Sequence, residues 1–285
     1  MNNLVLSIFP GIDLLGRAFE LEGYCVVRGP DLIWGQDVRD FHPPAGIFAG
    51  VIGGPPCQDF SDANWDPAPA DYGLRMLDEF TRVITEAQPE WWLMENVRNV
   101  PDVTIPGYTV QRIPLTAAEC GARQLRLRHF QFGSRSGWKL QPFRVCPDYH
   151  TLQPAALASE GNKRGVGLRR AWPDFCELQG LPRTYRLDGW SLAFKYAAVG
   201  NGVPLQMGRV IARAVTEAPS LAARDLFGAL DDSHLCPCNC GRRLTGKQRA
   251  ATVSCRKRLQ YTREGRRPGQ SRRDSVGAIT ADKIT

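Results

Sequence analysis

The sequence predicts an α/β protein built on a doubly wound, mostly parallel sheet. Three observations carry that expectation. The first half of the chain alternates short apolar runs with stretches of helical periodicity. The apolar runs end on glycine, proline and polar residues. The composition, 285 residues with 43% hydrophobic and 23% charged, is that of a chain able to bury a full core, and it excludes a collagen, a small disulfide scaffold and a disordered chain.

The elements follow in order. LVLSIF (4–9) reads as a buried strand, with a turn at Gly11 and a helix near 13–22, and YCVV (24–27) and FAGVIGG (48–54) read as further strands. A helix over about 74–87 precedes the apolar run WWLM (91–94), which leads into Glu95 and Asn96. In sheets of this kind ligands bind beyond the carboxyl ends of the strands. The residues to inspect are therefore FPG (9–11), GGPPCQDFS (53–61) and ENV (95–97). QLRLRHFQF (124–132) alternates, with Gln124, Arg126 and Arg128 on one face and Leu125 and Leu127 on the other, before the apolar side shifts to Phe130 and Phe132 near His129. Pro204 suits the start of a helix whose Met207, Val210, Ile211, Ala214 and Val215 share a core-facing stripe. There is no internal repeat, and residues 219–235 lack periodicity and read as a linker.

Charge is unevenly placed. Residues 1–230 carry 23 Lys and Arg against 24 Asp and Glu, whereas residues 231–285 carry 13 against 5, so the tail holds the whole positive excess. A second basic stretch, 134–171, has Arg135, Lys139, Arg144, Lys163, Arg164, Arg169 and Arg170 against Asp148 and Glu160. Such segments draw polyanions because each neutralised phosphate releases condensed counterions, which makes nucleic acid the leading partner, although a charge run can also be a merely solvated face. The short apolar run in residues 1–9 has no basic flank, so no signal peptide is expected. No stretch approaches the ~20 apolar residues of a membrane span, so no membrane segment is expected. Nine cysteines, four of them in the tail, argue against a disulfide framework and for a reducing, cytoplasmic setting.

FPG, GGPPCQDFS, ENV, QLRLR, a basic variable stretch, ELQGLP (177–182) and GNGVP (200–204) occur in the order found in the S-adenosylmethionine-dependent cytosine-C5 DNA methyltransferases, which the chain resembles over residues 4–215. Each string alone has a plain structural reading: a buried small thiol, a helix cap, a solvated strand face. Together and in order they are specific. The resemblance implies a Rossmann-like methyltransferase fold, to which this sequence adds a short recognition insert and a small Cys-rich C-terminal module. The expected units are a cofactor-binding and catalytic core (1–133), a basic recognition segment (134–171), a return to the core (172–218), a linker (219–235), a basic Cys-rich module expected to hold zinc (236–263) and a disordered tail (264–285).

The chemistry explains the residue types. Cytosine C5 is too weak a nucleophile to take a methyl group until a nucleophile has added at C6, and a thiolate does this well. Cys57 is the expected nucleophile. Glu95 would hold or protonate N3, and Arg126 and Arg128 resemble the pair that contacts the cytosine O2 and the adjacent backbone. The target base must be flipped out of a duplex. By the same resemblance Phe9, Gly11, Asp31, Asp37, Pro55 and Asn201 line the cofactor site, with Asp31 on the ribose hydroxyls and Asp37 accepting from the adenine amino group. Two departures stand out. Ser7, Asp13 and Leu14 occupy positions where the family writes an acidic residue and a glycine pair, and only 38 residues are left for target recognition.

In the tail, Cys236, Cys238, Cys240 and Cys255 match the four thiolates of a structural zinc site, with His234 as a substitute ligand and flexible free thiols as the alternative. The expected partners are double-stranded DNA and a cognate restriction nuclease, with the chain acting as a monomer. Methylation of RNA by the same fold and an inactive DNA-binding relative are the competing readings.

Overall fold

The computed structural model describes residues 3–56, 60, 71–162 and 169–227, together with 236, 244, 248–250, 255, 256, 259 and 260 in the tail. Eight strands and five α-helices follow along these residues: β1 (Leu4–Ile8), α1 (Leu14–Leu21), β2 (Cys25–Arg28), β3 (Gly50–Gly53), α2 (Tyr72–Ala87), β4 (Trp91–Asn96), β5 (Thr109–Thr116), β6 (Gln124–Leu125), β7 (Leu127–Ser134), β8 (Gln153–Pro154), α3 (Trp172–Leu178), α4 (Leu192–Asn201) and α5 (Leu205–Phe227). Six strands form one sheet in the order β2-β1-β3-β4-β7-β5. The first four are mutually parallel, and β7 runs antiparallel to both β4 and β5. The sheet is thus mostly parallel, as the alternation of strands and helices predicts.

Side chains alternate across the sheet, so each strand feeds two cores. Val5, Ile52, Trp91 and Leu93 face α1 and α5, where Phe19, Met207, Ile211 and Val215 meet them. Leu6, Val51, Trp92 and Met94 face α2, where Phe80, Val83 and Ile84 close the opposite layer. Two glycines make room for the paired indoles of β4. A Cβ on Gly50 would lie 2.2 Å from the Trp91 ring, and one on Gly133 would lie 2.2 Å from that of Trp92. Both glycines are also the sheet partners of those tryptophans, Gly50 with Trp91 and Gly133 with Trp92.

Three differences from the sequence expectation have physical causes. β5 is an additional strand. It forms the sheet edge, where Pro114 is tolerated. The stretch 124–132 divides at Arg126 into β6 and β7, and its faces are inverted: Gln124 and Arg126 are the buried ones, while Leu125 and Leu127 are exposed. The last helix continues through Pro219 to Phe227, into the stretch read as linker. Segment 134–162 is irregular, with two short 3-10 turns and β8, which pairs in parallel with β6. The rest of the expected linker, most of the Cys-rich module and all of 264–285 lie outside the described residues. No described helix is long and apolar enough to cross a membrane.

Candidate active site

The strand order reverses between β1 and β3, and the carboxyl ends there open a crevice at the switch point. A cavity of about 540 Å³ occupies it, lined by Phe9, Gly11, Asp31, Asp37, Pro55 and Asn201 and, on its other side, by Glu95, Arg126 and Arg128. All nine residues expected there from sequence come together. The tenth, Cys57, lies outside the described residues.

The turn after β1 is held in unusual geometry. Phe9, Gly11 and Asp13 all take left-handed backbone angles, with φ of 51°, 57° and 58°. A non-glycine residue in that region costs about 1–3 kcal/mol, so the surroundings must enforce it. Asp31 and Trp34 pin the turn at Gly11, between the two strained residues. Asp31 accepts from the Gly11 amide at 2.8 Å and the Ile33 amide at 2.9 Å, and Trp34 Nε1 donates to the Gly11 carbonyl at 2.8 Å. Asp13 caps α1, accepting from the Gly16 amide at 2.9 Å, from the Ser7 hydroxyl at 2.8 Å and from Arg28 Nε at 3.0 Å. Burial pushes its carboxyl above the usual range, against the pull of those three partners. Ser7 and Asp13, both departures from the family pattern, are thus hydrogen-bonded to each other.

Asp37 closes the cavity's outer side. The Arg39 guanidinium and backbone amide both donate to it, which holds its carboxyl down at about 2. Asp31 and Asp37 give this side a pair of acceptors suited to hydroxyl and amino donors.

On the opposite side β4 delivers Glu95 and Asn96. Asn96 Nδ2 donates to the Pro55 carbonyl at 3.1 Å, tying the strand end to the GGPP turn, and Glu95 Oε2 lies 3.4 Å from where a Cβ on Gly54 would stand. Glu95 is 7% exposed. Burial pushes its pKa up while Arg128 and Arg126 pull it down, and the net direction is upward. Arg128 Nε stands 2.8 Å from Glu95 Oε1. A carboxyl poised in this way can hold or deliver a proton.

Arg126, which lines the cavity beside Glu95, is also bound to backbone carbonyls. It is buried, with Nη1 donating to the Ala156 carbonyl at 2.9 Å and Nη2 approaching the Asn201 and Gly202 carbonyls at 3.5 and 3.3 Å. Gln124 and Gln179 extend this network: Gln124 Oε1 accepts from the Ala156 amide at 3.0 Å, Gln124 Nε2 donates to Gln179 Oε1 at 3.0 Å, and Gln179 Nε2 donates to the Val199 carbonyl at 2.6 Å. The first glutamine of QLRLR and that of ELQGLP thus fasten the GNGVP segment to the sheet. Both strings are visible in the sequence, but nothing in them gives the glutamines this part. Asp13, Trp34, Arg39 and Asn96 are further site residues not expected from sequence, and only the asparagine of ENV has a motif to point to it.

Of the tail cysteines, Cys236 and Cys255 are described and buried, and Cys238 and Cys240 lie outside the described residues.

Residues 36–163 match the family model for C-5 cytosine-specific DNA methylases. The Type II methyltransferase M.HgiDI of Herpetosiphon aurantiacus is 37% identical over 100 residues, covering 30% of this chain and 31% of that protein. M.FnuDI of Fusobacterium nucleatum is 30% identical over 168 residues, 49% of each. The matched regions span less than half of these relatives. Among solved structures, S. pombe Dnmt2 methyltransferase superposes with a TM-score of 0.54 at 12% identity, over 78% of this chain and 99% of that one. Entamoeba histolytica methyltransferase EhMeth gives 0.54 at 11% identity, over 79% and 99%. At those identities the likeness is one of fold.

Proposed function

Since the chain belongs to the C-5 cytosine-specific DNA methylase family, we propose that it transfers a methyl group from S-adenosylmethionine to C5 of a flipped-out cytosine in double-stranded DNA, through a covalent bond between Cys57 and C6. The observation that carries this reading is the buried Glu95 carboxyl, paired with Arg128, in the same cavity as the Asp31 and Asp37 acceptors.

The cavity fits the cofactor. Its volume of about 540 Å³ lies within the usual range of small-molecule sites, and its two carboxylates suit ribose hydroxyls and an adenine amino group. S-adenosylmethionine supplies an electrophilic methyl group. Phe9, Gly11, Asp31, Asp37, Pro55 and Asn201 would hold it.

The remaining steps belong to the chain and the base. The Cys57 thiolate adds to C6, and the electron pair of the C5–C6 bond moves into the ring. Glu95, whose pKa burial raises, delivers a proton to N3, which keeps the ring neutral as C5 becomes the nucleophile. Arg128 holds Glu95 in place, and its guanidinium would contact the cytosine O2. Arg126 acts through the backbone it binds, positioning the GNGVP segment. After methyl transfer, the C5 proton passes to solvent water, its electron pair restores the C5–C6 double bond and expels Cys57 as thiolate, and the N3 proton returns to Glu95. Double-stranded DNA is the partner. The relatives' Type II names support a role beside a restriction nuclease.

The test is methyl transfer from labelled S-adenosylmethionine to mixed-sequence duplex DNA, with Cys57→Ala in parallel and bisulfite sequencing of the product. Incorporation at cytosine C5 that vanishes in the variant supports the reading. Incorporation into transfer RNA alone, or none with folded protein, overturns it.

A further inference from the structure

We propose that Cys146, in the basic segment between β7 and α3, is a thiolate ligand of a zinc ion that it shares with Cys236 and Cys255 of the tail. This rests on the expectation of a tail zinc site but changes its architecture, since that expectation placed every ligand on the tail. It is independent of the methyl-transfer chemistry.

The observation is a meeting of distant thiols. Cys146 Sγ lies 2.8 Å from Cys255 Sγ, across 109 residues of sequence. Cys236 and Cys255 are 1% and 0% exposed, and they pack in one cluster with Cys146, Leu244, Ala250 and Leu259. Among the described residues few apolar side chains pack around these three cysteines, and small modules that bury little hydrophobic surface are usually held by a metal or a covalent link. The 2.8 Å separation is well beyond the ~2.0 Å of a disulfide. It is about 1 Å inside the edge of a tetrahedron with ~2.3 Å zinc–sulfur bonds, so the pair opens slightly as the ion enters. Among the described residues no group of three or more such side chains is placed to hold a metal ion. The ion therefore gathers the ligands rather than entering a finished cage. Cys238 and Cys240, two and four residues beyond Cys236 in sequence, are the remaining tail thiols available for the fourth position.

The chemistry balances without an oxidant. Each coordinating thiol gives its proton to solvent, a sulfur lone pair forms the bond to zinc, and neither metal nor sulfur changes oxidation state. The consequence is architectural: the metal fastens the basic tail to the basic 134–171 segment, so that the two positive regions act as one surface.

The experiment measures zinc in the full-length protein purified under reducing conditions. One zinc per chain is expected. Cys146→Ser should bind zinc at least about tenfold more weakly in competition with a chelator. Cys25→Ser, which alters an exposed cysteine on β2, should match the wild type. Absence of zinc from the wild type overturns the proposal, as does full affinity in Cys146→Ser, which would leave a site made by the tail alone. Equal loss in Cys25→Ser, or a Cys146–Cys255 disulfide in the reduced protein, overturns it too. Should Cys146→Ser fail to fold, alkylation of the wild type decides. Cys146 should become reactive together with Cys236 and Cys255 when a chelator is added, and a Cys146 indifferent to the chelator refutes its place in the site.

Discussion

Replacing Glu95 with Gln keeps the shape of the side chain and removes the proton it can give. A positioned general acid contributes about 10²–10⁴ in rate, which is about 2.7–5.4 kcal/mol of transition-state stabilisation. The cofactor side lies across the cavity, so kcat should fall by that factor while the KM for S-adenosylmethionine moves little. Stability should change far less. The variant is relieved of a carboxyl that burial disfavours, and Arg128, whose side chain is 20% exposed, keeps water and the Gln carbonyl as acceptors, so the net cost is about 1–2 kcal/mol at most. The pH dependence has a definite sign. Because burial raises the folded pKa of Glu95, its protonated form is favoured by the fold; that contribution is complete below the unfolded pKa and is lost as pH rises through the folded one. Wild-type kcat should therefore decline as pH rises through that window, and Glu95→Gln should show no such limb. Single-turnover methyl transfer across pH, with thermal melts alongside, reads both. A variant within about threefold of wild type at every pH would remove Glu95 from the proton transfer.

Asp13→Ala loses the cap of α1 and places alanine at φ 58°, for a cost of about 2 kcal/mol in denaturant melts, and Asp13→Asn should recover at least half of it because asparagine tolerates that backbone. Gly133→Ala drives a methyl into the Trp92 indole and should cost about 3 kcal/mol or prevent folding, as judged by the same melts. Asp31→Ala removes the acceptor for the Gly11 and Ile33 amides, so calorimetry should find S-adenosylmethionine bound at least about tenfold more weakly. Deleting residues 231–285 removes 13 Lys and Arg, and the slope of log affinity for DNA against log salt should shrink by about 0.9 for each phosphate no longer neutralised, with cofactor affinity unchanged.

The parallel half of the sheet was legible because its strands are apolar runs closed by glycine and proline, and each crossover helix has a stripe. The site residues at the strand ends could be named because their strings occur in order. What stayed hidden depends on distant partners. Arg126 and Gln124 face inward because the carbonyls and amides of residues 156, 178 and 201–202 satisfy them, and alternation along 124–128 cannot reveal that. β5 was obscured by Pro114, which only an edge position excuses. The left-handed Asp13 looked like a departure from the family pattern, and only the structure places Ser7 and Arg28 against it.

The two glycine–tryptophan pairs reach beyond packing. Successive residues of β4 carry indoles to opposite faces, each seated over a glycine of a different neighbouring strand. A one-residue slip of β4 would send both rings to the wrong faces and carry Glu95 out of the cavity. The aim of the carboxyl is thus set three and four residues upstream by two rings that never touch substrate. In the descent of such a chain, neither glycine can gain a side chain while its tryptophan remains, so these positions should change in pairs or not at all.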